Sequence, residues 1–338
     1  MSDFIYINFF GMEKIKRQKT SEHWYAVAPG IWGLKDIFVN IFMVHNPEKN
    51  DWVLVDTGLK TTAPKIRKMA SHLFWPELRP SAIILTHGHF DHTGSLIELA
   101  DEWDVPVYIH YMERPYLTGK SAYPPVDPLA GGGLMSLFSW AFPNGPIQLT
   151  SGKLISLPDD GSIPVLPEWR YVHTPGHAPG HISLFREKDR VLIAGDAVVT
   201  ACAESAIASL APGKPGVYGP PKYSTYNWKT AAESVKKLAA LEPLVLASGH
   251  GRSMKGPEVQ VRLKNLADHF DELAKPAYGR YVDEPAYVTE AGVQSIPHPA
   301  SPLGLILKVA GLATLAAVTW YLVRQQQKKK KLFSFSMN

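Results

Sequence analysis

Thr86-His87-Gly88-His89-Phe90-Asp91-His92 is the stretch that decides how this chain is read. It follows the apolar run Ala82 to Leu85 and precedes a helix-like segment, Ser95 to Trp103, so four metal-capable side chains fall in one strand-to-helix turn. Imidazole nitrogen and carboxylate oxygen suit zinc and its neighbours, and gathering the donors on one turn lowers the entropy of assembling a site. A single histidine would be read as a hydrogen-bonded structural residue. Three within six positions, in a chain with 13 histidines among 338 residues, call for a different explanation.

Working outward, three further positions share this context. Thr174-Pro175-Gly176-His177, Ala194-Gly195-Asp196 and Ser248-Gly249-His250 each end an apolar run or occupy a glycine-containing turn. Strand ends at one sheet edge converge in space, where an α/β protein normally builds its site. Adjacent glycines let the backbone approach that centre closely.

With these residues in view, the pattern resembles the metallo-β-lactamase superfamily, whose hallmark is a His-x-His-x-Asp-His turn followed by separate His, Asp and His ligands. The match spans roughly Asp56 to Gly251. The resemblance implies that His87, His89 and His177 hold a first metal ion, that Asp91, His92 and His250 hold a second, and that Asp196 bridges them. It implies two Zn2+ ions per chain, with iron or manganese as alternatives, and an α/β (α+β) fold of the four-layer αββα kind. Asp56, in Leu54-Val55-Asp56-Thr57-Gly58, matches a further family motif and would orient a ligand histidine. His173 and His181 flank His177 but do not fit the family order, and they are read as structural.

The rest of the chain is organised around that core. Between about Ser21 and Ala274, short β-rich runs alternate with amphipathic segments, an α/β pattern. Strands are expected at Trp24 to Ala28, Ile37 to Val44, Trp52 to Val55, Ala82 to Leu85, Val105 to Ile109, Ile182 to Phe185, Val191 to Ala194 and Leu244 to Ala247. The clearest helix is Glu258 to Ala274, where Val259, Leu263, Leu266, Phe270 and Leu273 form one stripe. Ala231, Val235, Leu238 and Leu241 mark a second, and Ile66, Met69 and Leu73 a third. Lys120 to Pro146 and Ala211 to Trp228 break the alternation with Pro and Gly and read as long loops; Tyr218, Tyr223, Tyr226 and Trp228 on the second suit a pocket wall.

The expected boundaries are therefore 1–20, an apolar and basic N-terminal segment; 21–274, the catalytic domain; 275–302, a Pro-rich linker; 303–323, a transmembrane helix; and 324–338, a basic tail. The run Leu303 to Val323 would be roughly 31 Å long at about 1.5 Å per residue, and it is apolar apart from Lys308. The expectation is a protein anchored to a membrane by that helix and otherwise cytoplasmic. The membrane face stays open: the basic tail favours a cytoplasmic C-terminus, yet the N-terminus lacks the order of a secretory signal. Five positive charges, Arg324 and Lys328 to Lys331, account for the net charge of +4. The body is near neutral, which argues against a nucleic-acid partner. The lone Cys202 excludes an intrachain disulfide framework.

The expected function is a metal-dependent hydrolase acting on an ester, thioester or lactone of a small acyl substrate. Two cations sharing a water lower its pKa from 15.7 toward roughly 7, making a bridging hydroxide the nucleophile. Asp91 and Asp196 are the expected catalytic carboxylates, Asp91 passing a proton to the leaving group. Within the resemblance, Asp196 argues against β-lactam hydrolysis, and His89, where flavo-diiron relatives carry glutamate, against a diiron redox site. Val199 stands where acyl-homoserine lactonases often have a tyrosine. The helical glutathione-binding domain of glyoxalase II is not identified. Gly219-Pro220-Pro221-Lys222-Tyr223 and Pro164 to Trp169 bring the chain nearest to a bacterial group of metallo-hydrolases. The alternatives are a phosphodiesterase of the same fold and a non-enzymatic membrane-tethered module.

Overall fold

Alternation along the strands shows how the layers stack. In Asp51–Val55, Trp52 and Leu54 face one apolar cluster while Val53 and Val55 face another. A strand buried on both faces needs a covering layer on each side. The computed structural model describes residues 24–74, 78–211, 213 and 215–301.

The first sheet has seven strands in sequential order: β1 (Trp24–Ala28), β2 (Ile31–Asp36), β3 (Val39–Asn46), β4 (Asp51–Val55), β5 (Ala82–Ile84), β6 (Val107–Ile109) and β7 (Leu154–Ser156). β1 to β4 form an antiparallel meander, and β4 to β7 run parallel through helical crossovers. The second sheet comprises β8 (Trp169–His173), β9 (Ile182–Arg186), β10 (Val191–Ile193), β11 (Val245–Ala247) and β12 (Met254–Lys255), ordered β12-β11-β10-β9-β8. Only β10 and β11 pair in parallel there, and the helix Trp228–Ala240 lies in the chain between them.

Three apolar clusters cement four layers. One packs Phe42, Val44, Val53 and Ile84 of the first sheet against Leu184, Val191, Ile193 and Ala247 of the second. Another lies between the first sheet and the helices Ala63–Leu73 and Leu96–Trp103, with Ile66, Met69, Leu96 and Leu99 inward. The third joins the second sheet to Trp228–Ala240 and Glu258–Asp268 through Val235, Leu238, Val259 and Leu263. This is the αββα arrangement. Burial of these side chains, at about 25 cal/mol per Å² of apolar surface, is the main favourable term.

Several expectations need correction. The membrane-anchored localisation is overturned on one point: among the described residues, no helix is long and apolar enough to cross a membrane. The C-terminal hydrophobic helix expected at 303–323 lies outside the described residues, as do the 1–20 segment and the 324–338 tail. Ile37 does not start a strand. It sits in the β2–β3 turn with φ 53°, and pairing resumes at Val39. The helix expected over Glu258 to Ala274 stops at Asp268, where His269 leaves helical geometry, and restarts at Phe270–Leu273. Leu273 is consequently 51% exposed rather than core. The stretch read as a linker carries an antiparallel hairpin, β13 (Tyr287–Thr289) and β14 (Gly292–Ser295). Tyr281 and Ala286 from the same stretch are buried in the third cluster, so it is packed on the body.

Candidate metal centre

All seven side chains singled out in the sequence meet at one sheet edge. The turn after β5 carries His87, His89, Asp91 and His92, and the amide of Ile182 in β9 donates to the carbonyl of Thr86 at 2.9 Å, pinning that turn to the second sheet. His177 lies on the β8–β9 loop, Asp196 follows β10 and His250 follows β11. Asn40 of β3 donates through Nδ2 to the carbonyls of Ser248 and Gly251 at 2.8 and 2.7 Å, which fixes the His250 turn against the first sheet.

The donor atoms fall into overlapping groups. His87, His89 and His177 form one; Asp91, His92 and His250 form another; His87, His92 and Asp196 link them; and within each group the donors lie within 4.8 Å of one another. Nε2 of His177 is 3.2 Å from Nε2 of His87 and 2.9 Å from Nδ1 of His89. Asp196 stands between the groups. Its Oδ2 is 2.9 Å from His250 Nε2 and 3.5 Å from His177 Nε2, while its Oδ1 is 3.6 Å from His92 Nε2.

Hydrogen bonds behind the centre set the tautomers. Asp56, at φ 63°, accepts from the Thr86 amide and hydroxyl and from His92 Nδ1, each at 2.8 Å. The Thr86 hydroxyl, having donated to Asp56, accepts from His87 Nδ1 at 3.0 Å. His250 Nδ1 donates to the Phe38 carbonyl at 2.8 Å. Protonation on Nδ1 in all three leaves Nε2 as the free donor facing the centre. His181 is not among the converging donors. Its Nε2 accepts from the Asp196 amide at 2.9 Å and its Nδ1 donates to Thr174, so it holds Asp196 in place. His173 donates to the Pro179 carbonyl and stacks on His110.

Two observations fit this donor set to cations. His92 Nε2 and Asp196 Oδ1 are buried without hydrogen-bond partners among the described residues, an arrangement that costs free energy unless something sits between them. The carboxylates of Asp91 and Asp196 are buried and, among the described residues, face only histidines in their ion pairs. Unbalanced buried negative charge favours a cation. The titration pattern follows from the same imbalance. Burial would raise Asp196, but His250 and His92 hold it well below the usual carboxylate range. Burial opposes charge on His92 and His250, yet Asp196 and its neighbours push both upward, His250 to about 8. Burial and the neighbouring histidines lower His87, His89 and His177, His89 to about 3, and outweigh the upward pull of Asp196 on His89 and His177. They are neutral imidazoles, the state that binds metal.

The centre opens into a mostly apolar pocket whose walls come from both long loops. Pro124, Val126, Phe142 and Pro143 arrive from the first, Pro221 and Tyr223 from the second, and Phe38 from the β2–β3 turn. Among the described residues no Lys or Arg lines it. The Tyr223 hydroxyl has no hydrogen-bond partner among the described residues, and burial together with Asp91 and Asp196 keeps it protonated well above its ordinary range. Val199 is buried and bridged through its backbone to Tyr218, and the phenol that lines this pocket is that of Tyr223. Sequence reading missed Glu113, a fully buried carboxylate that burial pushes up to about 7 against hydrogen bonds from Tyr123, Gly180 and Gly88. It also missed Asn40. Neither sits in a local pattern that marks it.

Comparisons with known proteins place the chain in a family. Residues 34–250 match the family described as the metallo-beta-lactamase superfamily. The chain is 44% identical over 250 residues to "Probable metallo-hydrolase YflN" of Bacillus subtilis (strain 168), covering 74% of this chain and 94% of the relative. It is 26% identical over 205 residues to "Probable metallo-hydrolase YybB" of the same organism, covering 61% and 78%. Among solved structures it is similar to TTHA1623 in a di-iron-bound form, at 25% identity, TM-score 0.45, and coverage of 68% of this chain and 96% of that one. On the extent of the family match and the identity to YflN, the chain belongs to the metallo-β-lactamase superfamily of metallo-hydrolases.

Proposed function

We propose that this protein is a dinuclear metal hydrolase that cleaves a neutral carboxylic ester, thioester or lactone. One observation carries the reading: seven His and Asp side chains converge beside a mostly apolar pocket that no Lys or Arg lines among the described residues. His87, His89 and His177 would hold one cation, Asp91, His92 and His250 the other, and Asp196 would be shared. The nitrogen and oxygen donors suit zinc first, with iron or manganese as alternatives. Bound divalent cations supply a water acidified toward neutrality and a Lewis acid for the scissile carbonyl.

The chain's own residues do the rest. Phe38, Phe142, Pro124 and Val126 take up the acyl part and exclude bulk water, which strengthens every electrostatic interaction inside. The Tyr223 hydroxyl, protonated and unpartnered, donates a hydrogen bond to the carbonyl oxygen as charge develops on it. Asp91, which lines the pocket, would pass a proton to the departing oxygen or sulfur. An apolar wall with no Lys or Arg among the described residues disfavours a phosphodiester, whose charge would need compensation.

The test is a panel of neutral p-nitrophenyl esters, acyl thioesters and lactones beside bis(p-nitrophenyl) phosphate. Hydrolysis of the carboxylic substrates, lost on chelation and restored by zinc, is the expected result. Turnover of the phosphodiester alone would replace this reading with a phosphodiesterase.

A further inference from the structure

Glu113 is a fully buried carboxylate that none of the chemistry above uses. It ends the short turn Tyr111–Glu113 after β6 and has no Lys or Arg partner among the ion pairs of the described residues. Its hydrogen bonds run to two separate backbones. Oε2 accepts from the Gly88 amide at 2.9 Å and Oε1 from the Gly180 amide at 2.6 Å. The Tyr123 hydroxyl donates to Oε2 and itself accepts from the Gly88 amide at 2.9 Å.

Those backbones are the ones that carry the three-histidine group. Gly88 separates His87 from His89, and Gly180 lies three residues after His177. Both positions are glycine for a reason visible in the packing. A Cβ on Gly88 would stand 2.6 Å from the Tyr123 hydroxyl, and one on Gly180 would stand 2.7 Å from Glu113 Cγ. A side chain at Gly88 would displace the Tyr123 hydroxyl, and one at Gly180 would displace Glu113 itself. Tyr123 also meets the His89 ring edge-on at 4.5 Å and stacks on Tyr116 at 4.1 Å, which leaves its hydroxyl little freedom. A buried carboxylate is costly to keep, and an apolar side chain would fill the same volume. What a hydrocarbon could not do is fix the spacing of two amides from one rigid group.

We propose that Glu113 is a positioning residue: by clamping the Gly88 and Gly180 amides together it holds His87, His89 and His177 at the separation one cation requires. Tyr123 is the second jaw of the clamp. The inference rests on the proposed metal role of those histidines, and it assigns Glu113 no contact with substrate.

The experiment is cobalt(II) titration of the metal-free full-length chain, followed by visible absorbance, for wild type, Glu113→Gln, Tyr123→Phe and His87→Ala. His87→Ala identifies which binding event belongs to the three-histidine group. Gln keeps the shape but presents an NH2 to one of the amides. A folded Glu113→Gln is expected to bind that ion at least tenfold more weakly while the ion at Asp91, His92 and His250 binds as in wild type. Tyr123→Phe should weaken the same event several-fold. Unchanged binding, or equal weakening of both events, in folded Glu113→Gln overturns the proposal. If Glu113→Gln does not fold, Tyr123→Phe decides: an unaltered three-histidine event overturns it. If His87→Ala itself binds two ions like wild type, the metal reading fails rather than the clamp alone.

Discussion

Asp56 Oδ2 accepts a hydrogen bond from Nδ1 of His92 at 2.8 Å while both oxygens of the same carboxylate accept from Thr86. The carboxylate has only acceptor sites, so it forces the imidazole proton onto Nδ1 and leaves Nε2 facing the centre.

Replacing that acceptor with a group that can donate should therefore disturb the metal. Asp56→Asn keeps the shape and tolerates the left-handed backbone at φ 63°. With its carbonyl on the Thr86 amide, its NH2 faces His92 and moves the ring proton to Nε2. We expect roughly 10–100-fold weaker binding of the ion at Asp91, His92 and His250, the range usual for partners behind metal ligands. Chelator competition measures it, and wild-type affinity would refute the tautomer argument.

Gly249 is packed against the centre so closely that a Cβ there would overlap Asp196 Oδ1. Gly249→Ala should displace that carboxylate. Misplacement by about 1 Å can cost 10²-fold, so a loss of that order in kcat is expected. Steady-state kinetics beside a thermal melt separates this from general unfolding.

Tyr223→Phe removes only a hydroxyl. If that hydroxyl meets the developing oxyanion, kcat falls by roughly 10²-fold and KM stays near its wild-type value. A change in KM alone would make Tyr223 a wall residue.

Away from the centre, His110 is lowered to about 3 by burial and by His173, which stacks on it at 3.9 Å. The unfolded chain takes up this proton below about 6.5, whereas the folded chain resists until about 3. Between those values the unfolded state binds more protons, so stability falls as pH drops through the window. His110→Asn, which can still accept from the Met112 amide, should show a shallower loss of urea midpoint between pH 6.5 and 4 than wild type. Parallel profiles would count against this origin.

What the sequence revealed follows from where the information lies. His87, His89, Asp91 and His92 are legible because four donors share one turn, and His177, Asp196 and His250 because glycine marks each strand end. β4, β5, β9 and β10 are apolar runs on both faces and were equally plain. β2 was missed because Ile31–Asp36 interrupts its apolar residues with Gly33 and Lys35, and the turn at Ile37 carries no glycine. β13 and β14 hide in a stretch that composition alone marks as irregular. Glu113 is 25 residues from Gly88 and 67 from Gly180, so its partners exist only after folding.

In the proposed function, His87, His89, Asp91, His92, His177, Asp196 and His250 form one two-metal centre that performs hydrolysis. Elemental analysis of purified protein, paired with turnover of a neutral thioester or lactone, tests it most directly in wild type, His87→Ala and Asp196→Asn. Two transition-metal equivalents per wild-type chain are expected, with folded variants that are depleted in metal and inactive. A metal-free wild type, or variants that retain both ions and turn over at the wild-type rate, would contradict it.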